Sequence, residues 1–191
     1  MNGQKILLHS CCAPCSAAVL EWLIRNGYET VLFYYNPNIY PQEEYEKRKN
    51  ELTKYAAKKR IKVIDGDYNY NRWKQTVEGF ENEPERGARC LRCFKMRLNK
   101  TAELANTLGI SLFATTLSSS RWKDLNRIDE AGSEAAMKYA GLTFLNKNWR
   151  KDGLQQRRND LIKENNFYNQ QYCGCEYSTR VLRDAGKAVI I

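Results

Sequence analysis

Seven cysteines stand in three groups: Cys11, Cys12 and Cys15 in "HSCCAPCSAAVL", Cys90 and Cys93 in "CLRC", and Cys173 and Cys175 in "QYCGCEYS". A thiolate is both a metal ligand and a redox group, so the grouping points to one chemistry or the other. "CLRC" opens an expected helix, where free N–H groups and the helix dipole stabilise thiolates. Cys11, Cys12, Cys90 and Cys93 can supply a four-sulfur site. A structural zinc ion takes four tetrahedral thiolates, and an iron–sulfur cluster is also held by four cysteines. The adjacent side chains of Cys11 and Cys12 are expected to diverge, which suits a broad cluster better than one small ion. Cysteines that are merely buried form the third reading. Cys15, one helical turn from Cys11, is left over. With Cys173, Cys175 and Asp124 it could hold a second metal ion, iron or zinc, through mixed thiolate and carboxylate ligands. A Cys-x-Cys disulfide closes a small, strained ring that is easily reduced. Cys173 and Cys175 therefore read as an electron relay, as two more ligands, or as ordinary thiols.

Other residue types narrow the choice. His9 is the only histidine. It stands beside the cysteines, either as polar support for a metal site or as a satisfied core histidine. Neither GxxxxGK[ST] nor GxGxxG occurs, so nothing in the sequence supports a nucleotide cofactor. Asp124 and Asp129 in "RWKDLNRID" follow an expected strand and could face the site, although Asp124 also suits a helix N-cap. Tyr34, Tyr35, Tyr40, Tyr68, Tyr70 and Trp73 include core residues and candidates for stacking on a base. Arg121, Lys123, Arg150, Lys151, Arg157 and Arg158 follow the expected fourth and fifth strands. If those loops share one face, these cations surround the cysteines and can hold phosphates. A solvated charge run is the plainer reading of any one of them.

These residues need a scaffold, and the pattern supplies one. The chain has 191 residues, 42% of them hydrophobic, which suits a single domain over 1–191. "KILLHS" (5–10), "TVLFYYN" (30–36), "IKVIDGD" (61–67), "SLFATTLS" (111–118) and "LTFLNKN" (142–148) read as five strands. Helical stretches separate them, including 41–60, 90–109 and 154–165. Alternating strands and helices predict an α/β fold, a Rossmann-like (HUP-like) parallel sheet flanked by helices. Residues 68–89 read as a helical insertion, and the cysteine-bearing tail follows the last helix. In such a sheet ligands collect at the carboxyl ends of the strands, where "CCAPC" follows the first one. The net charge of +9 suits a polyanionic partner. No apolar run is long enough to span a bilayer. The first residues lack a signal-peptide layout, so a cytoplasmic location is expected. There, seven cysteines read as metal or redox chemistry rather than a disulfide framework.

Taken in order, "CCAPC", "CLRCFKMRL", "TTLSSSRWKD" and "YNQQYCGC" resemble the epoxyqueuosine reductases of the QueH family, over nearly the whole chain. The resemblance implies a cobalamin-independent oxidoreductase that turns epoxyqueuosine into queuosine at the wobble position of tRNA, the last step of queuosine synthesis. It implies a [4Fe–4S] cluster on Cys11, Cys12, Cys90 and Cys93, and a redox-active pair at Cys173 and Cys175. Electrons are then expected from an external donor, with Asp124 as a candidate acid and Tyr35 and the basic residues on the substrate. The family commonly has a proline after the serines of the third motif, where this chain has Arg121. A metal-bearing enzyme of the tRNA-thiolation type is the alternative, but the first strand leads into no glycine-rich SGGxDS-like loop. A zinc-stabilised RNA-binding module is the non-enzymatic alternative.

Overall fold

The computed structural model describes residues 3–178. β1 (Lys5–His9) is apolar on both faces, and it takes the centre of the sheet, where both faces are covered. β2 (Glu29–Tyr34) and β4 (Leu112–Thr115) flank it, with β3 (Lys62–Asp65) and β5 (Thr143–Phe144) outermost. All the pairings are parallel, in the order β3-β2-β1-β4-β5. The α/β reading of the sequence holds, with all five strands found.

Alternation along the strands builds two cores. Ile6, Leu8, Leu32, Tyr34 and Ala114 face α1 (Ala13–Arg25), α2 (Gln42–Lys58) and α6 (Leu154–Glu164). Leu7, Phe33, Tyr35 and Phe113 face α4 (Ala88–Thr107) and α5 (Leu125–Ala136). The insertion contributes α3 (Tyr70–Val77), whose Trp73 and Val77 pack with Cys93, Cys175 and Tyr177 in a third, smaller cluster. Among the described residues no helix is long and apolar enough to cross a membrane.

Strand ends differ from expectation for local reasons. β4 stops at Thr115 because its hydroxyl accepts from Leu117 N at 3.2 Å and starts a 3-10 turn, Thr116–Ser119. β5 keeps two residues, since Leu145 makes one more bond to Phe113 O (2.8 Å) before the polar run 146–148 leaves the sheet.

The sheet order places a switch point between β1 and β4, whose following segments diverge to opposite sides. "CCAPC" leaves β1 there, beside the 3-10 turn from β4. Cys11 N donates to Thr116 Oγ1 at 3.2 Å, and Ser119 Oγ donates to the Cys15 carbonyl at 3.0 Å. The two segments thus form one crevice.

The α5–β5 packing is tight enough to test. A Cβ on Gly132 would lie 2.3 Å from the Phe144 ring, and that ring packs on Phe113 at 5.2 Å. Alanine gains about 1 kcal/mol of helix propensity over glycine, whereas overpacking costs about 1–3 kcal/mol. Gly132→Ala should therefore lose stability in urea unfolding; an unchanged or raised midpoint would show that Phe144 yields freely.

Candidate metal centre

The site starts from the turn after β1. Cys12 caps α1 with extended backbone, and Pro14 follows within the first turn. This turns the sulfurs of Cys11, Cys12 and Cys15 inward, and all three lie within 4.8 Å of one another. Cys11 and Cys12 Sγ are 3.8 Å apart. The expected divergence of this adjacent pair is therefore wrong: the extended backbone at the cap swings both side chains to one side. With it goes the argument that the pair disfavours a single small ion. Gln170 Nε2 donates to Cys12 Sγ at 3.1 Å, and Thr116 Oγ1 donates to Cys11 Sγ at 3.5 Å.

The second group stands in the first turns of α4. Cys90 and Cys93 lie one turn apart and line a narrow pocket together with Cys173 and Cys175. Cys90 also packs against the core that holds Cys11, Cys12 and Cys15. Gly174 makes the tail fit. Its φ of +124° is one that side-chain-bearing residues rarely adopt, and a Cβ would lie 3.1 Å from Arg48 Nη1 and 3.2 Å from Ile39 Cγ1. Its carbonyl accepts from Tyr40 N at 2.8 Å.

Crowding sets the protonation of these thiols. Hydrogen bonds from Cys12 and Cys15 hold the Cys11 thiol well below its usual range. Burial pushes Cys12 well above it, and Cys15 rises to about 11, chiefly because its sulfur donates to Cys11. Burial, and then Cys173, lifts Cys90 to about 12 and Cys175 to about 11. One sulfur of the trio ionises readily, and the others need a cation.

Buried cations surround the sulfurs. Lys123 is buried, and the sulfurs of Cys173, Cys11 and Cys15 raise its ammonium above the usual range although burial alone would lower it. Arg97 lines the pocket and donates to Asn36 Oδ1, while Asn36 Nδ2 donates to the Ser10 carbonyl at 2.9 Å. Arg89 lines the same pocket and bonds the Glu81 and Glu83 carbonyls. Arg48 pairs with Glu44 at 2.6 Å and reaches the Cys173 carbonyl at 3.4 Å. Each of these arginines keeps a buried nitrogen without a partner: Nε of Arg89 and Arg97, and Nη2 of Arg48. Sulfur ligands and uncompensated buried cations are what an anionic, thiolate-bound metal centre requires. The donor set fits a bound metal.

His9 is a core histidine. Its Nε2 donates to the Tyr35 carbonyl at 3.1 Å, which leaves Nδ1 to accept from Thr115 Oγ1 at 2.8 Å. Burial, with Arg97 nearby, lowers its pKa to about 3. It ties the ends of three strands together as a neutral ring.

The basic residues divide. Arg121 and Lys151 are exposed, as a phosphate contact needs. Lys123 is not on the surface. Arg150 braces the loops by donating to the Ser118 and Lys123 carbonyls, each at 3.2 Å. Arg158 keeps a buried Nε without a partner, and its charge acts on Cys15. Arg157 clamps Glu21 of α1 at 2.7 Å and Glu164 at 2.6 Å. Asp124 caps α5 by accepting from Arg127 N at 3.1 Å, and Tyr35 is buried with its ring stacked on Phe33. The sequence reading missed the buried arginines. Arg97 had a signal, since it follows Cys90 by seven and Cys93 by four residues on one helix face.

A protein-family model described as "Epoxyqueuosine reductase QueH" matches residues 6–181. The chain belongs to this family. Its relatives carry the same description, epoxyqueuosine reductase QueH. That of Haemophilus influenzae is 48% identical over 184 residues, 96% of this chain and 74% of the relative. The Acinetobacter baylyi relative is 45% identical over 179 residues, 94% of this chain and 82% of its own. The Thermotoga maritima relative is 38% identical over 176 residues, 91% and 89%. The QueH family match covers the cysteine groups Cys11–Cys15, Cys90–Cys93 and Cys173–Cys175 together.

The Arg157 clamp gives a pH test. The Arg157 hydrogen bond holds the Glu21 carboxyl below its usual range. The clamp therefore stabilises the fold above the unfolded carboxylate pKa of about 4.3 and loses this as pH falls. Glu21→Gln should melt slightly lower than the parent at neutral pH, with the gap closing in acid. A gap that widens on acidification would contradict the assignment.

Proposed function

We propose that this chain reduces the epoxide of epoxyqueuosine to the alkene of queuosine in tRNA, without cobalamin and in the cytoplasm. Membership of the QueH family carries the reading, supported by a tight cysteine trio at the β1–β4 switch point and a pocket lined by Cys90, Cys93, Cys173 and Cys175. Conversion of epoxide to alkene takes two electrons and two protons, and the oxygen leaves as water. A thiol pair that closes to a disulfide releases two electrons and two protons, which matches this demand. Cys173 and Cys175 are assigned that role, and an external donor restores the dithiol. Asp124, the half-buried N-cap of α5 next to Lys123 in the sequence, is the proposed proton donor to the leaving oxygen.

Cys11, Cys12, Cys90 and Cys93 are the proposed ligands of a [4Fe–4S] cluster. When bound, the cluster supplies electrons one at a time at a potential set by nearby charge and hydrogen bonds. Lys123, Arg89 and Arg97 supply that charge. Cys15 is the proposed thiolate for a second metal, iron or zinc. The tight Cys11–Cys12–Cys15 trio supports a second reading, in which these three sulfurs hold one zinc ion.

Three measurements test this. Anaerobically purified protein should carry about four irons with labile sulfide, and Cys90→Ala or Cys93→Ala should remove them. Stoichiometric zinc without sulfide would reject the cluster and favour the second reading. Nucleoside mass spectrometry of tRNA should show epoxyqueuosine converted to queuosine; intact substrate with every donor tried would reject the activity. Cys175→Ala should keep its metal and its tRNA affinity yet stop after at most one turnover with the natural donor. Full steady-state turnover in that variant would reject the relay.

A further inference from the structure

α4 has two working faces. Cys90, Cys93 and Arg97 line the cysteine pocket, while Leu91, Arg92 and Met96 lie beside it, next to α3, whose Trp73 packs with Cys93 and Met96. Leu91, Arg92 and Met96 bound a cleft of about 640 Å³, which Arg72 of α3 and Tyr35 of the sheet complete. This volume lies within the range of sites that hold a small organic ligand, roughly 300–1,000 Å³.

Three features say what such a ligand is. The first is the floor. Tyr35 is 4% exposed, yet its hydroxyl has no hydrogen-bond partner among the described residues, and the residue borders the cleft. Its place is fixed by packing: the ring stacks on Phe33 at 5.7 Å, and a Cβ on Gly66 would lie 2.8 Å from it. The second is the charge. The cleft lysines are already paired, Lys95 with Glu130 and Glu134 and Lys100 with Glu103. Arg72 and Arg92 have no carboxylate partner among the described residues, and Arg92 is held with its guanidinium 4.1 Å from the Phe80 ring centre. The third is the wall, where half-buried Leu91 and Met96 offer apolar surface. An apolar wall, one fixed hydroxyl and two free guanidinium groups match the face of a base, its polar edge or ribose, and its phosphates.

We propose that this cleft holds a nucleotide of the tRNA strand neighbouring the one that is reduced. Its base lies against Leu91 and Met96, its polar edge meets the Tyr35 hydroxyl, and its phosphates meet Arg72 and Arg92. The inference rests on the tRNA reading above. Both sites line α4 and are bordered by α3, with Trp73 at the cysteine pocket and Arg72 and Thr76 at the cleft, so neighbouring nucleotides of one strand would reach both.

Fluorescence anisotropy with an anticodon stem-loop RNA, unmodified at the wobble position, tests this on the full chain across a salt series. Wild type should bind. Arg72→Ala/Arg92→Ala should weaken binding about tenfold or more and reduce the salt slope by about 1.4, for two contacts to a single strand. Tyr35→Phe keeps the ring packing and should weaken binding a few-fold with the slope unchanged. Arg25→Ala, at the far end of α1, serves as a control and should match wild type. A double variant that binds the RNA with wild-type affinity and slope overturns the cleft and leaves the tRNA reading intact. Failure of wild type to bind the RNA overturns the tRNA reading and the cleft with it. Retained RNA affinity in a double variant that has lost binding of a free mononucleotide would assign the cleft to a small molecule and also overturn the proposal.

Discussion

Lys123 lies buried among sulfur, and much of the structure follows from that. Removing an ammonium from water costs several kcal/mol even after relaxation, so it needs an anion. When ionised, Cys173, Cys11 and Cys15 are the groups that favour its charged form. Arg89 and Arg97 meet the same constraint on the pocket side, where no buried carboxylate pairs with them among the described residues. Arg48 is the exception, with Glu44 as its partner. The site is balanced only when several sulfurs are ionised. Their crowding opposes this unless a metal ion is bound, so the protein around the cysteines is built for a charge state that the bare thiols do not reach.

Such a site requires rigid walls, and the parallel sheet provides them. The neutral His9 ring joins β1 to Thr115 of β4 and to the chain leaving β2. The Arg97–Asn36–Ser10 chain then ties α4 to the turn before Cys11. The CxxC helix and the CC turn come from distant parts of the sequence, yet few bonds separate them. A shift of either would unpair buried polar groups, at about 1–3 kcal/mol each. Positioning is therefore coupled to stability at the point where the chemistry is proposed.

Much of this was legible in the sequence because its signals are local. Apolar runs such as "KILLH" and the alternating helices gave five strands in a parallel sheet, and "CCAPC" fell at the carboxyl end as the switch-point rule requires. What failed was direction. Cys11 and Cys12 were expected to diverge, but a cap residue with extended backbone overrides the behaviour of ordinary neighbours. Lys123 and Arg157 were read as surface cations. Sequence cannot show that a loop cation folds back onto sulfur, or that Glu21, far off in the chain, waits for a guanidinium. Asp124 takes its capping reading, with one carboxylate oxygen on Arg127 N.

The basic net charge needs the same separation. Several cations that raise it are buried and do not attract a polyanion: Arg89, Arg97 and Lys123 lie by the cysteines, and Arg48 pairs with Glu44. Charge that steers nucleic acid must be solvent-facing and unpaired. By that standard Arg121 and Lys151 qualify on the loop side, and Arg72 and Arg92 on the α3 side, while Arg157 does not. Net charge alone could not have distinguished the cations that build the centre from those free to present a substrate to it.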